Sequence, residues 1–465
     1  MGRRSVTTTH NANGTRPPGA LPSDAADFDR PWGDIDESVV YAIRTAVSDQ
    51  LSSRQADRAE RGLPRLSRSD EEQLVAELAN AELRTHARGL LERGRTPPAQ
   101  AEEQAILKAI SDLLFGMGRL QPYLDHPDVK NIHAQGARPV WLELLDGTTI
   151  RGAPIASSND ELIEWVRDLG RRLGLSERRF DPDRYRINLQ LRDGSRLFAI
   201  AWVTGESHLF IRRHHFIDVS LDELTQNSPM VQSFLAAVAR AGFCVIIAGG
   251  QGDGKTTLLR AMAAAIEPGE RLTTIETDLE LGLDRLPHRH HEVVAMEARE
   301  SNIEGVGQVT CAHLVRDAMR TNSRRVIVGE VLGDEVVPML LAMNSGAKGS
   351  LCTIHADSSD DVFEKLGTLA SLSPQRIDHA TTSRLASKAV DFIVFVERDA
   401  NGTPAVVSSI REVTGYDSQP LTNELFGPGS DGHARPTRVP LSDRRKSAVG
   451  HHGFDPAWLT RGERQ

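Results

Sequence analysis

Cysteine, lysine and long apolar runs are all scarce in this chain, and each shortage excludes something. Three cysteines among 465 residues (Cys244, Cys311 and Cys352) stand far apart with no CxxC pair. That excludes a disulfide-stapled scaffold and a four-cysteine zinc site, and it fits a reducing compartment. No run of about 18 uncharged apolar residues occurs, so no transmembrane segment is expected; the nearest candidate, 235–250, is broken by Arg240. Arg3-Arg4 leads into Ser5-Val6-Thr7-Thr8-Thr9 rather than an apolar stretch, so no signal peptide is expected. The expectation is a cytoplasmic protein that reaches a membrane only through partners. Net charge is −9, which supplies no overall basic field for nucleic acid. Only seven of the 55 basic residues are lysines, so a lysine at a chemically exacting position is informative. Lys255 is one of the seven.

What is present suits a soluble protein of two or three domains, at about 150 residues each, with 39% hydrophobic and 26% charged residues. Residues 1–35, rich in Thr, Asn, Gly, Pro and Asp, read as a disordered arm. Residues 36–117 read as helical: Val39, Val40, Ile43, Val47 and Leu51 recur on one face, and Ser69-Asp70-Glu71-Glu72 resembles a capping box. Between 118 and 217 the period shortens to short strands with Asp146-Gly147 and Asp193-Gly194 turns, a small α+β domain. A linker is expected at 218–230. From 231 to 420 apolar strand-like runs alternate with helical patterns, as in a parallel sheet covered by helices, closed by a hairpin through Asn401-Gly402. The Gly/Pro/Arg-rich stretch 421–465 reads as a flexible tail whose 453–459 segment could dock.

Gly249, Gly250, Gln251, Gly252, Asp253, Gly254, Lys255 and Thr256, followed by Thr257, match G-x-x-x-x-G-K-[ST] in full. The match follows an apolar strand and precedes a helical pattern, the context that a phosphate loop requires. Glycines let the backbone turn successive N–H groups onto phosphate oxygens, and the next helix adds the positive end of its dipole. Lys255 is expected to reach the β- and γ-phosphates of ATP, and Thr256 to ligate Mg²⁺. Asp253 is a carboxylate inside an anion-binding loop. Facing the phosphates in low dielectric would cost about a few kcal/mol, so it is expected to face solvent.

Two further groups of acids suit the same chemistry. The strand-like Val326-Ile327-Val328-Gly329 ends in Glu330, a candidate Mg²⁺-side carboxylate, and Glu276, Asp278 and Glu280 follow another strand. Sheets of this class bind ligands at strand ends, and either Glu276 or Glu280 could orient an attacking water. His288, His290 and His291 lack accompanying Cys or acidic ligands at metal spacing and read as a solvated loop.

In order and spacing, the phosphate loop, the acids at 274–281, Gly329-Glu330 and the stretch 349–358 around His355 resemble the type II/type IV secretion ATPase superfamily. The stretches Asn302-Ile303-Glu304-Gly305 and 314–320 look like its CpaF/TadA-like branch, which powers tight-adherence pili. The resemblance spans roughly 110–415. It implies a RecA-like ATPase core, an amino-terminal domain closing over the nucleotide, and a homohexamer. It also implies ATP hydrolysis coupled to pilus assembly or secretion through an inner-membrane platform; no direct nucleic acid contact is expected, because the acidic balance weighs against it.

Carried over by position, Glu276 matches the catalytic carboxylate with Glu280 in support, Glu330 the Walker B glutamate, and His355 the histidine that senses nucleotide state. Arg196 and Arg212 match amino-terminal arginines approaching the phosphates, and Arg316 and Arg320 match arginines near a subunit boundary. Spreading charge on the transferred phosphoryl group is much of such catalysis. The chain departs from the family pattern at Thr277, Ser323-Arg324, Leu332, Ala347 and Asp253. A conjugation-type ATPase and a nucleotide-gated, non-hydrolysing scaffold are the competing readings.

Overall fold

A computed structural model describes residues 28, 30, 32–173, 179–213, 218–225, 228–299, 301, 305–398 and 406–461. It divides into two compact units, 1–214 and 215–465.

The first unit opens with three helices, Glu37–Glu60, Arg68–Glu92 and Gln100–Leu114. They bury Val40, Ile43, Val47, Val75, Leu78, Leu83, Ile106 and Ile110 against one another, which is the face the apolar spacing marked out. The second helix is capped by Ser67, whose hydroxyl accepts from Asp70 N at 3.2 Å, two residues ahead of the expected Ser69. Ser67 has Asp70 three residues on, so the hydroxyl can cap the amide and also bond that side chain at 2.7 Å.

Six antiparallel strands follow: β1 Val129–Gln135, β2 Val140–Leu144, β3 Thr149–Gly152, β4 Arg186–Gln190, β5 Arg196–Ile200 and β6 His208–Arg212. Their order is β3-β2-β1-β6-β5-β4. Alternation turns Leu142, Ile187, Leu197 and Leu209 into the core with residues of the helix Asn159–Leu173. The arm expected to be disordered through residue 35 has an ordered end. Phe28 joins the sheet's core, and Trp32 joins the helical core and donates to buried Asp112 at 3.1 Å. Two large aromatic rings gain enough from burial to order the segment; residues 1–27 lie outside the described residues.

The second unit holds nine strands: β7 Val245–Gly249, β8 Leu272–Glu276, β9 Val293–Glu297, β10 Arg325–Val331, β11 Leu351–His355, β12 Phe392–Glu397, β13 Val406–Asp417, β14 Gln419–Pro428 and β15 Ala434–Pro436. Their order is β15-β14-β13-β12-β7-β11-β10-β8-β9. The six from β12 to β9 are parallel, and β13 to β15 extend the sheet antiparallel. Apolar cores cover both faces, as the uninterrupted strand runs require.

Two expectations fail here. The supposed linker at 218–230 contributes Val219 and Leu221 to the core, carries the short helix Leu221–Leu224, and includes Pro229 at the start of the helix Pro229–Arg240. The supposed flexible tail is part of the fold. It forms most of β14, all of β15 and the helices Asp443–His451 and Ala457–Arg461, and it buries Phe426, Phe454 and Leu459. Phe454 packs edge-on against Phe234 with ring centroids 5.0 Å apart. Arg445 bridges Asp391 at 2.8 Å and fully buried Glu412 at 3.0 Å.

Candidate active site

Parallel pairing brings the chemistry together. Gly249 ends β7 opposite His355 at the end of β11; β10, which carries Glu330, lies beside β11, and β8, ending at Glu276, lies beside β10. Four of the expected residues therefore sit at the same end of neighbouring strands, on loops and strand ends that a buried sheet holds rigidly. A side chain at Gly249 would run into the Val396 carbonyl. Gly252 and Gly254 take left-handed φ values of 77° and 88°, which glycine adopts without strain. Gly254 is the N-cap of the helix Lys255–Ala264, whose first turn carries Lys255, Thr256 and Thr257. Gln251 is exposed on the loop.

Lys255 is buried, and its three N–H donors all have acceptors: Gly249 O at 3.2 Å, Gly250 O at 2.7 Å and His355 Nδ1 at 3.1 Å. Because the ammonium can only donate, His355 Nδ1 accepts. The ring proton therefore sits on Nε2, which meets Glu330 Oε1 at 2.8 Å. Burial lowers the Lys255 pKa, while the charges of Glu330 and Asp253 oppose that shift. Thr353 Oγ1 donates to Gly329 O at 2.6 Å, tying β11 to the backbone just before Glu330.

Asp253 corrects its expectation of facing solvent. Its Oδ2 accepts from Gly250 N at 2.9 Å, and Arg398 lies 3.5 Å from Oδ1 while donating to Gly252 O at 2.8 Å. An amide and a guanidinium within reach hold the carboxylate on its own loop more favourably than water does.

Glu276 is buried at 4% exposure. Oε1 accepts from Glu280 N and Leu281 N, both at 2.9 Å, while Oε2 has no partner among the described residues. Burial raises its pKa to about 7, against the pull of those two amides. Gly329 is where Glu276 fits: a Cβ there would lie 2.9 Å from Glu276 Cγ. Glu280 contributes its backbone to this cluster, and Thr277 Oγ1 contacts Cys311 Sγ at 3.8 Å.

The four expected arginines sit on elements other than these strands. Arg196 and Arg212 are paired neighbours on β5 and β6 of the amino-terminal unit. Arg316 lies on the helix Cys311–Ala318, and Arg320, just beyond it, is 3.9 Å from Asp317. Both are exposed. Asn302, Ile303 and Glu304 lie outside the described residues. His288 and His291 are exposed, in keeping with a solvated loop, but His290 departs from that reading. It is 3% exposed, and burial pushes its pKa down to about 4. No group of three metal-ligating side chains occurs among the described residues. Arg260 and Arg398 were not legible as site residues, since a helical arginine and an arginine past a strand carry no motif.

A family model described as type II/IV secretion system protein matches residues 150–396. The chain belongs to that family. A putative conjugal transfer protein of Mycobacterium tuberculosis is 31% identical over 68% of this chain and 90% of its own length. The type IV secretion system protein PtlH of Bordetella pertussis is 34% identical over 36% of this chain and 49% of its own. VirB11 of Agrobacterium fabrum is 34% identical over 35% and 46%. Among solved structures, the ATPase DotB of Legionella pneumophila aligns with a TM-score of 0.44 at 18% identity, covering 74% of this chain and 84% of that one. No helix among the described residues of this secretion-family protein is long and apolar enough to cross a membrane.

The residues fit a Mg²⁺-nucleotide. The loop is closed to a side chain at Gly249, left-handed at two glycines, and leads into a helix N-terminus. At the same end of the sheet, Glu276 is a buried carboxylate whose Oε2 has no partner among the described residues.

Proposed function

We propose that this secretion-family protein is an ATP-hydrolysing motor that works as a homohexamer on an inner-membrane platform, in pilus assembly or protein secretion of the CpaF/TadA-like kind. The observation that carries the reading is the convergence of Lys255, His355, Glu330 and Glu276 at one end of four adjoining strands. The loop amides and Lys255 bind the phosphates, with Lys255 exchanging a loop carbonyl for phosphate oxygens. Thr256 and Glu330 would hold Mg²⁺, which would supply charge neutralisation to the transferred phosphoryl group.

Glu276, half-ionised near neutral pH, takes a proton from the attacking water, and Glu280 positions it through its backbone. His355 joins Glu330 to Lys255 and so reports whether the lysine has turned to phosphate. Arg196, Arg212, Arg316 and Arg320 supply charge to the transferred group and the subunit boundary. The protein is cytoplasmic and peripheral to the membrane.

Phosphate release under Mg-ATP tests the reading. Parent protein should turn over, and Lys255→Ala and Glu330→Gln should each abolish release. A parent that binds ATP yet releases no phosphate would make the protein a nucleotide-gated scaffold. The name of the mycobacterial relatives favours one second reading, a motor for conjugal DNA–protein transfer. Salt-sensitive DNA binding by the purified protein would support it.

A further inference from the structure

The helix Lys255–Ala264 carries Arg260 five residues beyond Lys255, at a partly buried position. Its Nη2 donates to the backbone carbonyl of Glu280. The backbone amides of Glu280 and Leu281 in turn hold Glu276 Oε1. Arg260 also lines a small cavity with Asp218, Val219, Leu283 and His290.

We infer that Arg260 is a positioning residue for Glu276: it ties the acidic loop to the phosphate-loop helix, keeps two backbone amides on the carboxylate and places a positive charge near it. This rests on the reading of Glu276 as the catalytic carboxylate. One rigid helix then carries Lys255 at its start and Arg260 a turn and a half later. The group that binds phosphate and the loop that clamps the base cannot move independently.

The electrostatics agree. Burial raises the Glu276 pKa; the Glu280 and Leu281 amides lower it, the Glu280 charge raises it and the Arg260 charge lowers it. Glu297 faces it at the paired position of β9, Glu330 lies one residue past Gly329 on β10, and Cys311 senses its charge from the helix Cys311–Ala318. Arg260 in turn feels Glu280, Glu276 and Arg285.

The test is the pH profile of kcat from pH 6 to 9 at saturating Mg-ATP, for the parent, Arg260→Met and Arg260→Lys, with KM for ATP and a melting curve for each. Loss of the charge and of the amide clamp should move the acidic limb of Arg260→Met up by about one pH unit. That is about a fivefold loss of kcat at pH 7 and close to parental kcat at pH 9, with KM unchanged. Arg260→Lys keeps the charge and should shift by less, and it carries the comparison by itself should Arg260→Met not fold. An unshifted limb, or a kcat lowered by the same factor at every pH, overturns the assignment. Glu276→Gln separates the two levels. If it turns over like the parent, the catalytic reading of Glu276 itself fails; if it is inert while Arg260→Met is unshifted, only the Arg260 assignment fails.

Discussion

Replacing Glu276 with glutamine should silence the protein and remove a pH-dependent loss of stability, and the size of the effect follows from the site. In the unfolded chain this carboxyl releases its proton at the ordinary value of 4.5; in the fold it does so at about 7. The folded state therefore binds the proton more tightly. Stability linked to this group is fully present below 4.5, falls as pH rises from 4.5 to 7, and changes no further above that. Between pH 5 and pH 8.5 the parent should lose about 2.5 kcal/mol that Glu276→Gln does not lose.

Glutamine brings its own cost, because its amide N–H₂ has no acceptor where Oε2 stands without a partner. That cost, about 1–3 kcal/mol, is independent of pH. The decisive quantity is thus the change with pH in the difference between the two proteins, not the difference at one pH. For a unit spanning 215–465, 2.5 kcal/mol corresponds to roughly 5–10 °C in Tm. Calorimetry of both proteins without nucleotide at the two pH values reads it directly. A gap in Tm that stays constant from pH 5 to pH 8.5 would show that Glu276 is not held neutral by burial, and the argument for its role as a base near neutral pH would fall with it.

Gly329→Ala places a methyl 2.9 Å from Glu276 Cγ and 3.1 Å from Oε1. It should cut kcat about a hundredfold by displacing the carboxylate, with ATP affinity measured by fluorescent-nucleotide titration close to parental. Arg445→Met removes the cation between Asp391 and fully buried Glu412. It should cost about 3–5 kcal/mol in calorimetric stability, part of which Glu412→Gln recovers when combined with it.

The parts of the site legible in the sequence are those whose chemistry is local. The phosphate loop is contiguous, so its glycines, Lys255 and Thr256 announce themselves, and β7 and β10 read as apolar runs because a parallel sheet buries both faces. Glu330 followed from its place at a strand end, and His355 only from the family resemblance. What set the state of Glu276 was not legible. Its burial arises where β8 meets Gly329 of β10 and the loop 277–281 folds back, a meeting of segments some fifty residues apart. Arg260 escaped notice for the same reason, since nothing in a helical pattern says that one of its arginines reaches the next loop.

The carboxy-terminal stretch failed for a different reason. Its Gly, Pro and Arg content dilutes the apolar signal, and Phe426, Phe454 and Leu459 are too widely spaced to show a period. Yet each finds a place in the core that contains Phe234 and Phe392. Polar partners complete what periodicity could not mark. Ser442 N donates to Glu412 Oε2 at 3.1 Å, and Arg445 spans Glu412 and Asp391, whose other oxygen accepts from Cys244 N at 3.0 Å. Cys244 immediately precedes β7, the strand that delivers the phosphate loop. The segment that composition alone assigned to solvent is thus bonded, through one arginine and one aspartate, to the root of the strand on which the nucleotide site is built.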